Sequence, residues 1–493
     1  MSSTKIVVGP GRLRAGRALA RRHAPRAAAA RPQGRAYISW IAVALMTVGS
    51  VGYLGSCPAL AVFGFASVFL YVLPALVFLL PASLVAAELA SGWEGGVYNW
   101  VREGISAPFG MVAVWCQFAQ TIFYYPALLA YVGGTLAYVI KPSLANNGVY
   151  TGAVIVALFW VGVLVSSRGT GLIAKLASSG TVIGTMVPGL LLIGLGAVYL
   201  LQGNRSAAPI NAHHILPVWT GLASIVLLVN SFFTYAGVEV NAVHVDELRN
   251  PGREFPRAMF VAAALVLLIF IFPTLAISTV IPAHRISLTA GVMQAFDSLL
   301  HHFDVGFAVP VVAVALAVGA LAGMMAWLDG PSEGLLKIGR EQGYLPPYFQ
   351  RVNDEGIQLH ILAAQGVVIT IIGVLYALVP TVSSAYWILA VMATQVYLIM
   401  YVLMFISAIR LRRTQPNHPR GYKAPALFVQ CALGAVASVA AFAIGFVPPS
   451  QLSNTNPVVY VLVIVAGILL IGVIPPVALE LRRKPDWKAP AQA

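Results

Sequence analysis

The sequence predicts an all-α membrane protein of twelve transmembrane helices, and three observations carry that prediction. The chain of 493 residues is 59% hydrophobic and only 9% charged, where a soluble domain carries about 25% charged residues; its mean hydropathy is +0.84. Apolar runs of about 20 residues, each enough to cross a hydrocarbon core of roughly 30 Å, recur from end to end. Lysine and arginine fall almost entirely in alternate connections between these runs. In lipid only helices and closed barrels satisfy their own backbone groups. Barrel strands alternate in polarity over about ten residues, whereas segments 190–201 and 261–281 show no alternation, so the spans are helices.

In order, the spans run 37–63, 66–90, 109–139, 149–166, 176–201, 221–248, 256–281, 306–337, 360–379, 384–409, 424–447 and 457–480. The basic residues justify the divisions. Nine precede the first span, Arg102 follows the second, and Arg168 and Lys175 follow the fourth. Arg249, Arg253 and Arg257 follow the sixth, and Lys337, Arg340 and Arg351 mark the end of the eighth. Five from Arg410 to Lys423 follow the tenth, and four from Arg482 to Lys488 follow the twelfth. The opposite side receives Lys141, Arg205 and Arg285, so 27 of the 30 share one side. Positive loops stay in the cytoplasm, which puts both termini there. The net charge of +14 is then a cytoplasmic-face feature beside anionic lipid, with no nucleic-acid partner implied.

Residues 1–36 are Ala- and Arg-rich with no acid. They read as a disordered basic cytoplasmic tail, and an organellar transit peptide shares the composition. Spans one to five occupy 37–205, spans six to ten 206–412, the last two 413–481, and 482–493 is a short cytoplasmic C-terminus. Cys57, Cys116 and Cys431 are scattered through apolar spans, which suits buried small side chains rather than a disulfide framework or metal site. No G-x-x-x-x-G-K-[ST] loop is present, so ATP is not the expected driver. No cofactor or metal is expected.

Two spans carry residues that are poor for a helix. The first holds Gly49, Ser50, Gly52, Tyr53, Gly55, Ser56, Cys57 and Pro58; the sixth holds Ser231, Phe232, Thr234, Tyr235, Ala236 and Gly237, then Glu239. Proline removes a backbone bond and glycine lowers the cost of unwinding. If spans 1–5 and 6–10 are two repeats, these interruptions occupy matching places, which is the pattern of a transporter's binding site. Half-helix N-termini would face a carboxylate, and freed carbonyls an ammonium. Close helix packing through small residues is the competing reading.

Acids within spans cost roughly 2.5–3.5 kcal/mol at the membrane centre. Glu239 is the strongest functional candidate and the candidate for proton coupling; Glu88, Asp329 and Glu333 lie nearer an interface and read as structural. His244, Asp246 and Glu247 follow Glu239, but a five-residue spacing does not align Glu239 with His244 on one face. His213-His214 and His301-His302 read as outer-loop residues. Phe232, Phe233, Tyr235, Tyr397 and Tyr401 are aromatic candidates; Tyr397 and Tyr401, four apart, share a helix face, where they serve equally well as a gate or as packing.

Several stretches resemble the amino acid–polyamine–organocation permeases, and within them the bacterial glutamate/γ-aminobutyrate antiporters. They are Ala87-Glu88-Leu89 with Gly92-Trp93-Glu94-Gly95-Gly96-Val97-Tyr98, then Tyr235-Ala236-Gly237-Val238-Glu239 through His244-Val245-Asp246-Glu247 to Asn250-Pro251-Gly252-Arg253. Ile281-Pro282, Thr289-Ala290-Gly291-Val292-Met293-Gln294, Gly330-Pro331-Ser332 and Leu345-Pro346 are similar too. The resemblance covers all twelve spans. It implies inverted five-helix repeats (a leucine-transporter-like fold) plus two extra helices, with an amino acid held between spans one and six. It carries Tyr235–Glu239, Tyr397 and Tyr401 over as site residues. Ser56 and Gly323 depart from it, standing where those antiporters carry acids. Their longer C-terminal plug is not expected here either, since the chain ends about a dozen residues after span twelve.

The expected function is secondary active transport of an amino acid across the bacterial plasma membrane by exchange, with proton symport of an amino acid or amine as the alternative. A permease-like sensor would share the sequence pattern. An enzyme is not expected, because no catalytic constellation is visible.

Overall fold

The computed structural model describes residues 37–489, apart from Gly52, 170–179, Thr181, Ile210, Pro380 and 451–455. The 1–36 tail and Gly52 therefore lie outside the described residues. Every regular element among the described residues is helical. Ten helices are long and apolar enough to cross a membrane. In chain order the helices are α1 (Trp40–Val51), α2 (Cys57–Ala61), α3 (Gly64–Gly92), α4 (Gly96–Gly104), α5 (Ala107–Ile140), α6 (Gly148–Ser166) and α7 (Ile183–Leu201). There follow α8 (Val229–Tyr235), α9 (Pro251–Val280), α10 (Gly291–His302), α11 (Gly306–Gln342), α12 (Leu359–Leu378), α13 (Val382–Thr414), α14 (Leu427–Ile444) and α15 (Pro457–Leu481).

The expected spans 37–63 and 221–248 are not continuous helices. After α1 the chain is extended at Tyr53 (φ −139°, ψ 103°), then forms a single 3₁₀ turn, Leu54–Ser56. Pro58 sits in the first turn of α2, where its missing N–H costs nothing. In the second region Ala236 is extended (ψ 142°) and Gly237 is left-handed (φ 104°). Beyond it Val238–Glu247 winds as a 3₁₀ helix of ten residues, where runs beyond about four are uncommon.

Proline shapes the continuous helices too. Three π-turns occur among the described residues: Ala75–Leu79, Val182–Met186 and Ile468–Val473. Each ends two residues before a proline, at Pro81, Pro188 and Pro475. A proline ring clashes with the carbonyl four residues back and cannot donate to it, so the helix widens there. The carbonyl freed by Pro475 is that of Ile471, and the Trp115 indole N–H donates to it at 2.7 Å.

The most buried spans, α5 and α13, pack against one another, with α11 also on α5. α6 packs on α12, α9 on α1, and the 238–247 segment against α3. Small residues permit the closest crossings: a Cβ at Gly184 would lie 2.2 Å from the backbone of Gly319.

At one end of α3, the buried Glu88 carboxylate binds Arg412 and Arg420 and accepts the Ala424 N–H at 2.7 Å. The Arg420 guanidinium lies 5.1 Å over the Trp93 ring, on which His418 stacks at 4.6 Å. Ser91 and Tyr422 exchange two more hydrogen bonds. Glu88 thus fastens α3 to the 410–424 segment.

Candidate functional site

The two broken regions lie side by side. Interrupting a helix frees carbonyls, and each one left unpaired in a buried position costs about 1–3 kcal/mol. In the first region side chains take up four of them. Ser56 Oγ donates to Tyr53 O at 2.9 Å, Tyr386 Oη to Gly55 O at 3.2 Å, and Thr274 Oγ1 to Cys57 O at 3.5 Å. Asn230 Nδ2, from α8, donates to Ser56 O at 3.0 Å and so ties the second broken region to the first. The Tyr53 ring folds over Gly55, where a Cβ would meet it at 2.3 Å; its hydroxyl is buried with no hydrogen-bond partner among the described residues.

The second region is organised around Glu239, which is 1% exposed. Tyr397 Oη donates to Oε1 and Tyr401 Oη to Oε2. Gln117 Nε2, from α5, donates to Oε1 at 3.2 Å. Tyr401 Oη also accepts the Gly237 N–H at 2.8 Å, a donor that the break leaves without a helical carbonyl. No lysine or arginine pairs with Glu239 among the described residues. Gly237 is needed both for its positive φ and for space, since a Cβ there would come within 2.7 Å of Trp327.

Aromatic rings connect the two regions. Tyr124 meets Tyr53 edge-on at 6.5 Å, Phe233 at 5.5 Å and Trp327 at 6.3 Å. Trp327 meets Tyr397 at 6.4 Å, and Tyr397 meets Tyr401 at 5.2 Å. The wall so formed is apolar on its faces and carries hydroxyls at its edges, which suits a small ligand with charged ends.

The residues singled out in the sequence separate into two groups. Tyr53, Gly55, Ser56, Ala236, Gly237, Glu239, Tyr397 and Tyr401 belong to the two breaks or the Glu239 cluster. Ser231 Oγ and Tyr235 Oη instead donate to Leu70 O and Tyr71 O of α3; they anchor α8. Phe232 packs on Phe78 at 5.2 Å, Thr234 bonds back to Asn230 O, and Cys57 is buried with its thiol toward Phe270 O. His244 pairs with Glu247 at 3.1 Å. Glu333 is exposed, and the side chains of Asp246 and Asp329 lie outside the described residues. Sequence reading missed Gln117, Tyr124, Asn230, Trp327 and Tyr386. Gln117 and Asn230 carry a usable signal, a polar amide within an apolar span; the aromatic three carry none.

The amino acid permease family model matches residues 38–470. An uncharacterized transporter of Legionella pneumophila is 35% identical over 437 residues, 87% of this chain and 94% of its own. A glutamate/γ-aminobutyrate antiporter of Lactococcus lactis is 30% identical over 428 residues, 85% of each chain. An aspartate/glutamate permease of the same species is 24% identical over 356 residues, 68% of this chain and 71% of its own. With ten apolar helices of spanning length and a family match across nearly the whole bundle, this chain is an integral membrane transporter belonging to the amino acid permease family.

Proposed function

We propose that the protein is an amino acid antiporter working by alternating access, with a small zwitterionic or acidic amino acid held between the breaks at 53–57 and 236–239. The observation that carries this reading is the Asn230–Ser56 bond, which puts two interrupted helices side by side. Such a pair offers N–H groups to a carboxylate and carbonyls to an ammonium. A relative at 30% identity bears the name glutamate/γ-aminobutyrate antiporter, which supports exchange. The resemblance implies acids in those antiporters where this chain carries Ser56 and Gly323, so their substrate pair is not carried over to this site. The reading includes twelve spans, arranged as inverted repeats over 37–205 and 206–412 with two further helices. It puts the protein in a bacterial plasma membrane with both termini cytoplasmic, on the strength of the Lys and Arg distribution.

Proton symport is the second reading, and the Glu239 cluster favours it. A carboxylate held by hydroxyl and amide donors rather than by a cation takes up a proton without leaving a buried positive charge unpaired. Counterflow into proteoliposomes separates the two. Entry of labelled glutamate, γ-aminobutyrate or a neutral amino acid that requires a particular internal amino acid is the expected result. Entry driven by a proton gradient into vesicles without amino acid would replace exchange by symport. No entry for any pair, with or without the gradient, would sink both.

A further inference from the structure

Glu239 is held by three side-chain donors, and they are not equivalent. The ionised carboxylate only accepts hydrogen bonds, so Tyr397, Tyr401 and Gln117 all suit it. The neutral acid must donate one. Tyr401 is poorly placed to receive it, because its oxygen already accepts the Gly237 N–H and its hydrogen goes to Oε2. Tyr397 has its single hydrogen on Oε1, and to accept the acid's proton it would have to give up that bond. Gln117 is different. Its amide carries a carbonyl oxygen and an NH2 of nearly the same size on one carbon, so half a turn of the terminal torsion exchanges donor for acceptor in place. It approaches Oε1, the oxygen to which Tyr397 also donates, at 3.2 Å.

We infer that Gln117 is a positioning residue for Glu239, donating to the carboxylate and accepting from the acid, so that one buried site holds both protonation states. The inference rests on the reading of Glu239 as the coupling group. The titratable groups facing Glu239 are Tyr397 and Tyr401 from α13. α3 brings Glu88, neutralised by Arg412 and Arg420. α9 carries Arg253, Glu254 and Arg257 in its first two turns, and His244 on Glu239's own segment is paired with Glu247. No titratable residue occurs in α1.

The role predicts separate effects for two substitutions. Gln117→Leu removes a donor from the carboxylate, which makes protonation easier, and deprives the acid of its acceptor, which leaves its O–H free. Gln117→Glu sets a second carboxyl against the first, and like charges favour sharing a proton. Infrared difference spectroscopy of the purified full-length protein in lipid reads the protonated carboxyl band of Glu239, identified by its loss in Glu239→Gln and, for Gln117→Glu, against the double variant. The expected midpoint moves to higher pH in both variants, by about one unit or more in Gln117→Glu, and in Gln117→Leu the carboxyl band itself moves to higher frequency because the acid has lost its acceptor. Gln117→Met replaces the leucine variant if that one does not fold. Midpoints unchanged, or a carboxyl band in Gln117→Leu at its wild-type frequency, overturn the role of Gln117. A wild-type spectrum with no titrating band assignable to Glu239 overturns it as well. Counterflow judges the transport reading separately, because exchange can persist under either of those outcomes.

Discussion

The carboxylate of Glu239 has no counter-ion among the described residues, and its charge is spread over two phenols and an amide. Hydrogen bonds to a charged group are worth about 1.5–3 kcal/mol each when intact. Glu239→Gln keeps the shape and removes the proton site. It is expected to lower exchange at least tenfold while the purified protein stays monodisperse; wild-type exchange by that variant would take Glu239 out of the mechanism. At this scale the sequence was partly legible. Glu239 stood out as an acid in an apolar span, and Tyr397 and Tyr401 share a face by their spacing. The direction of Ser231 and Tyr235 was not legible, because an interrupted helix has no reliable phase. Their hydroxyls turn to α3, while Asn230, one residue before Ser231, turns to the other break.

Helices in this protein are interrupted or widened where proline or glycine leaves the backbone short of a bond, and neighbouring side chains make up the loss. Trp115 on the Ile471 carbonyl is the plainest case. Trp115→Phe keeps the ring and deletes the donor, so a loss of roughly 1–2 kcal/mol in stability is expected, read as a lower thermal midpoint in detergent. Glu88→Gln should cost more, about 3 kcal/mol, because two arginines lose one buried carboxylate. A midpoint equal to wild type would mean that Arg412 and Arg420 find other partners. Hydropathy located nine of the ten long helices to within five residues at each end, since lipid exposure is written in composition. The π-turns and the ten-residue 3₁₀ stretch left no such mark, because a change of hydrogen-bond pattern alters few side-chain polarities.

Across the whole molecule, composition and charge distribution were enough to indicate helices in a membrane, and the motif stretches were enough to indicate the family. The cargo was not legible, because the proposed site draws its side chains from α5, α8, α11 and α13, distant in sequence. The orientation remains a prediction. Single cysteines introduced near Lys141, Arg205 and Arg285 should react with an impermeant thiol reagent on intact cells, and cysteines near Arg253 and Arg410 only after permeabilisation; the reverse pattern would invert the topology. Rotational phase is also set far from where it matters. The π-turn before Pro81 takes up one extra residue, worth about 100° of helix rotation. A uniform helical wheel drawn through α3 from Tyr71 would therefore aim Glu88 away from the 410–424 segment. Pro81 stands seven residues before Glu88, yet it sets the direction in which that carboxylate points.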